Sequence, residues 1–326
     1  MTQTPASFWS SYNSIRGVLS GLQSLFPQFR YIRAESDDHI RKARQFLRMY
    51  FGNPPKTPIL HHALTEPDQI LLLAYNNSAE QSEQIGCIRY KYIGHCSPQN
   101  EAVHQIDCFC IHPDWRRKGV GTYLLMALHN ETISAGKVHA VFLKEGAPLI
   151  QKNLKPLYSS VFVYRRLNRS SPQSFQSLHA NVHSISSATA RIYIDQYRQL
   201  YPGTFIVLNA HSSHNQIWKL YKNNYDWILA LFQDSYQVHP ETRTQILWCT
   251  GFIESPSMRQ NSAMPSARPN AIRAILDTLP ECWGWVWGDI AWFGTKDGWT
   301  IDGAFHWYTY QWSPMFSPKD CYCITV

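Results

Sequence analysis

Six consecutive residues, Arg116-Arg117-Lys118-Gly119-Val120-Gly121, have the composition of an anion-binding loop. Three cations supply charge, and the two glycines let backbone N–H groups close on an anion at a helix N-terminus, where aligned peptide dipoles favour negative charge. A short basic, glycine-bearing string also serves as a solvated turn, so its setting carries the argument. Before it, Gln105 to Ile111 is an apolar run of strand length, and Pro113-Asp114 breaks it. After it, GVGTYLLMALHNETISAGK places Val120, Tyr123, Leu124, Met126 and Leu128 in a helix that Gly136 stops. The order is strand, turn, phosphate loop, helix. Cys108, Cys110 and His112 offer a rival chemistry, a cysteine nucleophile activated by a neighbouring base.

The chain of 326 residues has room for one large or two medium domains, and 44% hydrophobic with 16% charged residues is globular. No apolar run approaches the ~18 residues of a membrane span. The N-terminal MTQTPASFWSSYNSIRG lacks the apolar core of a signal peptide, so a cytoplasmic location is expected. The eight cysteines lie in apolar runs and read as free thiols. The two Cys-x-Cys pairs lack zinc-knuckle spacing, so no metal and no permanently bound cofactor is expected.

Residues 1–170 hold 20 Lys+Arg against 12 Asp+Glu, a balance of +8, while residues 171–326 hold 10 against 11, or −1. A basic first half suits a phosphate-rich ligand. Its cations are spread rather than gathered in a stripe with stacking aromatics, which argues against nucleic acid. The second half holds ten of the twelve tryptophans, a density that means core or an apolar groove for a lipid or peptide.

Along the chain, residues 27–51 give a short strand and an amphipathic helix with its N-cap at Ser36. Strands are expected at Gln69–Tyr75, Gly86–Tyr92, Val138–Leu143 and Val161–Leu167, with a helix over Ala147–Tyr158. Residues 168–178 read as a linker. Beyond it, helices are expected at Ser187–Leu200, Asn215–Tyr221 and Ala271–Leu279, and strands at Thr204–Leu208, Trp227–Gln237, Thr244–Glu254 and through CWGWVWGDIAW and GAFHWYTYQW. Strands alternating with helices define α/β units.

The loop resembles the pyrophosphate-binding loop of Gcn5-related acyltransferases, Arg/Gln-x-x-Gly-x-Gly/Ala, whose ligand is an acyl-CoA. Three further stretches resemble the N-myristoyltransferases (glycylpeptide N-tetradecanoyltransferases), in family order. Phe8-Trp9 matches their N-terminal Phe-Trp. Ile106-Asp107-Cys108-Phe109-Cys110-Ile111-His112 is similar to their Ile-Asn-Phe-Leu-Cys-Val-His. DGAFHWYTYQWSP is similar to their Gly-Asp-Gly…Tyr-Tyr-Leu-Tyr-Asn-Trp. The resemblance implies an α/β fold of two fused Gcn5-related units forming one saddle-shaped mixed sheet with flanking helices. It implies an arm at residues 1–26, an acyl-CoA domain at 27–168 and a peptide domain at 179–326. The implied activity carries a tetradecanoyl group from myristoyl-CoA, a cosubstrate, to the N-terminal glycine of proteins by direct attack. The chain would work as a monomer.

By the same resemblance the amides of Cys108 and Phe109 form the oxyanion site, and the α-carboxylate of Val326 is the base. Phe8, Trp9, Cys110, Ile111, His112, Arg116, Arg117, Lys118, Gly119, Val120, Gly121 and Thr122 would hold acyl-CoA. Asp302 and Gly303, with Asn181, would meet the peptide. Three departures stand out: RRKGVG in place of Arg-Ser-Lys-Arg-x-Ala, FGNPPKTP in place of an acidic run, and no Thr-Gln-Pro-Val after Phe-Trp. An acetyl-CoA-dependent N-acetyltransferase, or a catalytically silent relative, are the alternative readings.

Overall fold

Ile40, Ala43, Phe46 and Leu47 recur at helical spacing, and they form the buried face of helix α2 (Asp37–Tyr50), whose N-terminus Ser36 caps by accepting from the amide of His39. The structure, a computed structural model, describes residues 21–51, 64, 68–77, 83–96, 101–137, 139–149, 156–167, 176–201, 206–208, 216–224, 226–239, 241–260, 267–296, 298–310 and 324–325. Phe8, Trp9 and Val326, the stretch 52–58 and the linker residues 168–175 lie outside the described residues.

The fold is mixed α/β and divides into two compact units. One runs to Lys144 and adds Pro148–Leu157 and the chain from Trp307; the other holds Glu145–Ala147, Tyr158–His306 and the chain from Phe316. In the first unit a short α1 (Leu22–Leu25) precedes β1 (Phe29–Arg33), α2, and a meander of β2 (Gln69–Asn76), β3 (Gln84–Cys96) and β4 (Glu101–Ile111). Then come α3 (Val120–Ser134) and β5 (Ala140–Glu145). Strands β1 to β4 pair antiparallel in chain order, while β5 lies parallel to β4 because α3 carries the chain back across the sheet. Residues Trp307–Tyr310, the end of β13 (Thr300–Tyr310), complete this unit's sheet beside β5, with Tyr308 stacked on Phe142 at 5.2 Å.

The core of this unit packs Ile70, Leu72, Ile88, Tyr90 and Ile106 of the sheet against Val120, Tyr123, Leu124, Ala127 and Leu128 of α3. Each such aliphatic side chain stabilises the fold by about 1.5–3 kcal/mol when fully buried. Gly86 admits the helix: a Cβ there would meet Leu124 Cδ1 at 2.9 Å.

The second unit contains β6 (Tyr158–Arg166), α4 (Gln176–His179), β7 (Val182–Ser184), α5 (Ser187–Leu200), β8 (Ile206–Leu208), β9 (Gln216–Asn223), β10 (Asp226–Val238) and β11 (Gln245–Glu254). These are followed by α6 (Pro256–Gln260), α7 (Ala267–Asp277), β12 (Trp283–Asp289), α8 (Ile290–Phe293), the first part of β13, and β14 (Ile324–Thr325), which pairs with β8. Its sheet runs β6-β12-β11-β10-β9-β7, parallel only between β11 and β12. The plan of strand, helix, three-stranded meander, helix and parallel strand thus occurs twice.

Two expectations are corrected. Of the helix expected over residues 215–221, the described residues 216–221 are part of β9. Trp218 and Leu220 enter the cluster under α5 while Tyr221 enters the cluster under α7, so both strand faces are buried and the apolar spacing mimics a helix. Residues 147–149 and 156–157 are not helical either. The chain there is tied to β13, with Gly146 N donating to Ala304 O and Leu157 N to Trp307 O.

Candidate active site

Strand β4 shifts register beside β3 at two places, between Tyr92 and Gly94 and again nearer its own end, where Cys87 faces Cys110 and Arg89 faces Asp107, so two steps on β3 match three on β4. The extra residue makes a bulge, and Cys108 takes φ +52°, a left-handed conformation costly for a residue with a Cβ. The parallel ladder to β5 ends at Ile106 and Phe142, although β4 continues to Ile111 and β5 to Glu145. The edge of β4 beyond Ile106 is therefore left unladdered by β5, at the bulge. Backbone N–H groups at such a point can receive a developing oxyanion.

The bulge turns the Phe109 side chain outward to 40% exposure. Its ring lies over the start of α3, where a Cβ on Gly121 would meet Phe109 Cζ at 3.3 Å and Ile111 Cδ1 at 3.0 Å. Between bulge and helix, Pro113–Trp115 forms a 3₁₀ turn that His112 caps, its Nδ1 accepting from the Asp114 amide at 3.2 Å. The other ring nitrogen, Nε2, is then the protonated one and lies 3.0 Å from the Tyr50 hydroxyl. With both nitrogens engaged, His112 holds the turn.

Arg117 and Gly119 adopt φ +61° and +89°, which folds the loop tightly enough to aim the helix start. Arg116, Arg117 and Lys118 are exposed. Arg116 Nε donates to Ile111 O at 3.4 Å, and the Lys118 ammonium stands over the Trp115 ring at 5.2 Å. Gly119 caps α3 without a side-chain bond, and no acid occupies the first turn. The amides of Val120, Gly121 and Thr122 precede the first intrahelical donor, Tyr123, and have no partner within the helix. Cations and bare amides at a helix start are the elements of a phosphate site.

The cysteines are poor nucleophiles here. Burial pushes the thiols of Cys108 and Cys110 up to about 12, so they stay protonated near neutrality. All six cysteines among the described residues are free. Beside the bulge lies a pair that sequence reasoning missed. Arg89, 2% exposed, donates from Nε and Nη2 to the two carboxylate oxygens of Asp107 at 2.6 and 2.5 Å. Lys91 Nζ lies 3.6 Å from the same carboxylate. The only signal in the sequence was an arginine inside the apolar run IGCIRYKYIG.

Cys108 through Thr122 come together in the first unit, whereas Asp302, Gly303 and Asn181 belong to the second. Asp302 Oδ2 accepts from the Trp287 indole at 2.8 Å. Asn181 is held by its backbone, donating to Leu178 O and accepting from Lys222 N, beside β7 at the far edge of that unit's sheet. Among the described residues no cluster of three or more potential ligands could hold a metal, and no helix is long and apolar enough to cross a membrane.

Residues 35–158, which span this site, match the Acetyltransferase (GNAT) family. No curated protein matches the chain. Among solved structures, the chain is similar to Saccharomyces cerevisiae N-myristoyltransferase with bound myristoyl-CoA, with a TM-score of 0.59 at 8% identity over 87% of this chain and 83% of that one. A second structure of the yeast enzyme, with myristoyl-CoA and inhibitors, gives 0.59 at 9% identity over 87% and 80%. The glucosamine N-acetyltransferase region of a fungal multi-domain GH3 β-N-acetylglucosaminidase gives 0.53 at 12% identity, over 86% of this chain and 37% of that one. At these identities the likeness speaks to the fold.

Proposed function

We propose that the chain is an acyl-CoA-dependent N-acyltransferase whose first unit binds the cosubstrate, and that it carries a tetradecanoyl group from myristoyl-CoA to the N-terminal glycine of a protein or peptide. The observation that carries this reading is the β4 bulge at Cys108–Phe109, followed directly by a cationic, uncapped helix start. In the proposed reaction the amine nitrogen bonds to the thioester carbon, the negative charge that develops on its oxygen meets the Cys108 and Phe109 amides, the C–S bond breaks, and CoA leaves as a thiolate that takes up a proton. Preset donors of this kind are worth about 3–4 kcal/mol each. Covalent transfer through Cys108 or Cys110 is disfavoured by their raised thiol pKa.

In this reading Arg116, Arg117, Lys118 and the amides of Gly119 to Thr122 hold the CoA phosphates, Cys110 to His112 line the pantetheine path, and Phe8 and Trp9 cover the acyl chain. Residues 27–168 serve the cosubstrate and 179–326 the peptide, with Asp302 and Gly303 meeting its cation and Asn181 a further contact. The base is the α-carboxylate of Val326. Proton transfer from an α-ammonium of pKa ~7.8 to a carboxylate of ~3.5 is uphill by about 6 kcal/mol, a gap that burial narrows from both sides. Overall fold similarity over 87% of the chain supports the long-chain reading. Acetyl transfer to an amine is the second reading, favoured by the match of residues 35–158 and by the RRKGVG loop.

Competition binding separates the two. Each buried methylene is worth about 0.8 kcal/mol, so a dozen of them amount to about 10 kcal/mol, and myristoyl-CoA should bind tighter than acetyl-CoA by well over a thousandfold even if only half are buried. Equal competition by acetyl-CoA would move the assignment to the second reading.

A further inference from the structure

Arg89 and Asp107 face each other in register one step before the bulge, with Lys91 next along β3. The pair is almost fully enclosed at the arginine end, where the side chain is 2% exposed, and the Asp107 side chain is 22% exposed. Enclosing an ion pair costs desolvation that its attraction only partly offsets, so this one is a poor device for stability alone. Its neighbour holds the strained backbone: Cys108, at φ +52°, follows Asp107 directly in the chain, and its carbonyl accepts from Cys87 Sγ at 3.3 Å. One carboxylate, on the residue that leads into the bulge, is thus fixed by a two-pronged guanidinium. Two cations and one carboxylate leave a net charge of +1 beside the amides that would meet an oxyanion. Burial by itself would raise the Asp107 pKa, but the charges of Arg89 and Lys91 outweigh it and hold the carboxylate ionised.

We propose that Arg89 and Asp107 are positioning residues that set the bulge, and with it the Phe109 amide, in the geometry that stabilises the oxyanion. The inference rests on the acyl-transfer reading of the site but is tested separately from it.

The test uses the full chain with Arg89→Gln and Asp107→Asn together, which keeps shape and removes both charges, and with Arg89→Lys alone, which keeps the charge but not the second prong. Three quantities are read: acyl-CoA Kd by calorimetry, single-turnover transfer to an amine peptide, and hydrogen exchange of the Phe109 amide. In the double variant Kd should stay within about twofold while transfer falls about a hundredfold, the usual cost of one lost oxyanion donor. Phe109 exchange should quicken. The lysine variant should lose about tenfold in transfer, recovering part of the geometry. Transfer within about threefold of the parent in either variant, or a loss that only follows Kd, would overturn the proposal. If the parent transfers no acyl group at all, the functional reading fails on that result, and unchanged Phe109 exchange in the double variant overturns the positioning role independently.

Discussion

In the first unit β4 gives up its register at Cys108 and Phe109; in the second, β11 does the same at Thr250, where Leu231 faces Gly251 and Phe232 faces Cys249. Both bulges fall where a parallel ladder ends, at Ile106 with Phe142 in one case and at Trp248 with Trp287 in the other. The segments after the two strands differ. After β4 come three exposed cations, two left-handed loop residues and a helix start with no side-chain cap. After β11 comes Ser255, whose hydroxyl accepts from the amides of Trp227 and Met258. Beyond it, Arg268 in the first turn of α7 donates to the Glu254 carboxylate at 2.7 Å. In place of a gap, Phe293 packs on the bare Gly288, where a Cβ would meet its Cε2 at 2.5 Å. The backbone device is therefore common to both units, and among the described residues only the first couples it to groups that would greet a phosphate. A bulge makes a place for a carbonyl; the loop chemistry decides whether a cosubstrate reaches it.

The largest effect expected from breaking this comparison lies at the chain's end. Extending the protein past Val326 with a short tag should cut kcat by about 10²–10⁴, the usual contribution of a general base, with acyl-CoA Kd unchanged. Full turnover of the tagged protein would pass the base role to a side chain.

A second contrast is acid sensitivity. His104 of β4 is buried, stacked on Tyr90 at 4.6 Å with Asp68 Oδ2 3.7 Å away, and burial lowers its pKa from 6.5 to about 4, against a smaller opposing pull from the His139 backbone. The folded state thus resists a proton that the unfolded chain accepts. Stability is fully present above pH ~6.5 and falls as the pH drops toward 4, by roughly 3 kcal/mol in all. Hydrogen exchange from pH 7 to 4.5 should loosen the first unit's strands before the second's, and His104→Phe should flatten the dependence. Equal loosening of both units would contradict it.

Next comes the loop. Arg116→Ala with Arg117→Ala should weaken acyl-CoA binding about a hundredfold, at roughly 1.5 kcal/mol per charged hydrogen bond lost, and added salt should act in the same direction. The matched change in the second unit, Arg268→Ala, should leave Kd untouched and cost about 3 kcal/mol of stability by stranding Glu254. Calorimetry and a melting curve separate the two; a loss of binding from Arg268→Ala would erase the asymmetry. The smallest effect is at Asp302. Asp302→Asn, still able to accept from Trp287, should raise peptide KM about fivefold with acyl-CoA binding intact, as a charge contact at a half-buried position open to solvent is worth about 1 kcal/mol.

The β4–loop–α3 segment was legible in the sequence because local signals agreed: an apolar run, a Pro-Asp break, two glycines and an apolar helix stripe. The bulge was not, since register is set by the partner strand, and neither DCFC nor GCIRY announces that two residues will face one. The buried Arg89–Asp107 pair was hidden for the same reason, as the two residues meet across β3 and β4. In β9 the sequence misled, because a strand covered on both faces loses the alternation that marks strands. His112 looked like a candidate ligand contact or base, and its two bonds became visible only with the turn and Tyr50 in place.

The central claim, that the first unit's loop presents an acyl-CoA for transfer to an amine, is tested most directly by intact-mass analysis of a glycine-initiated peptide incubated with the protein and acyl-CoAs from acetyl to palmitoyl. The account predicts one tetradecanoyl group on the peptide's α-amine, and none when Arg116 and Arg117 are both alanine and the cosubstrate is dilute. A peptide left unmodified by every acyl-CoA, or modified equally by the double-alanine variant under those conditions, would contradict it.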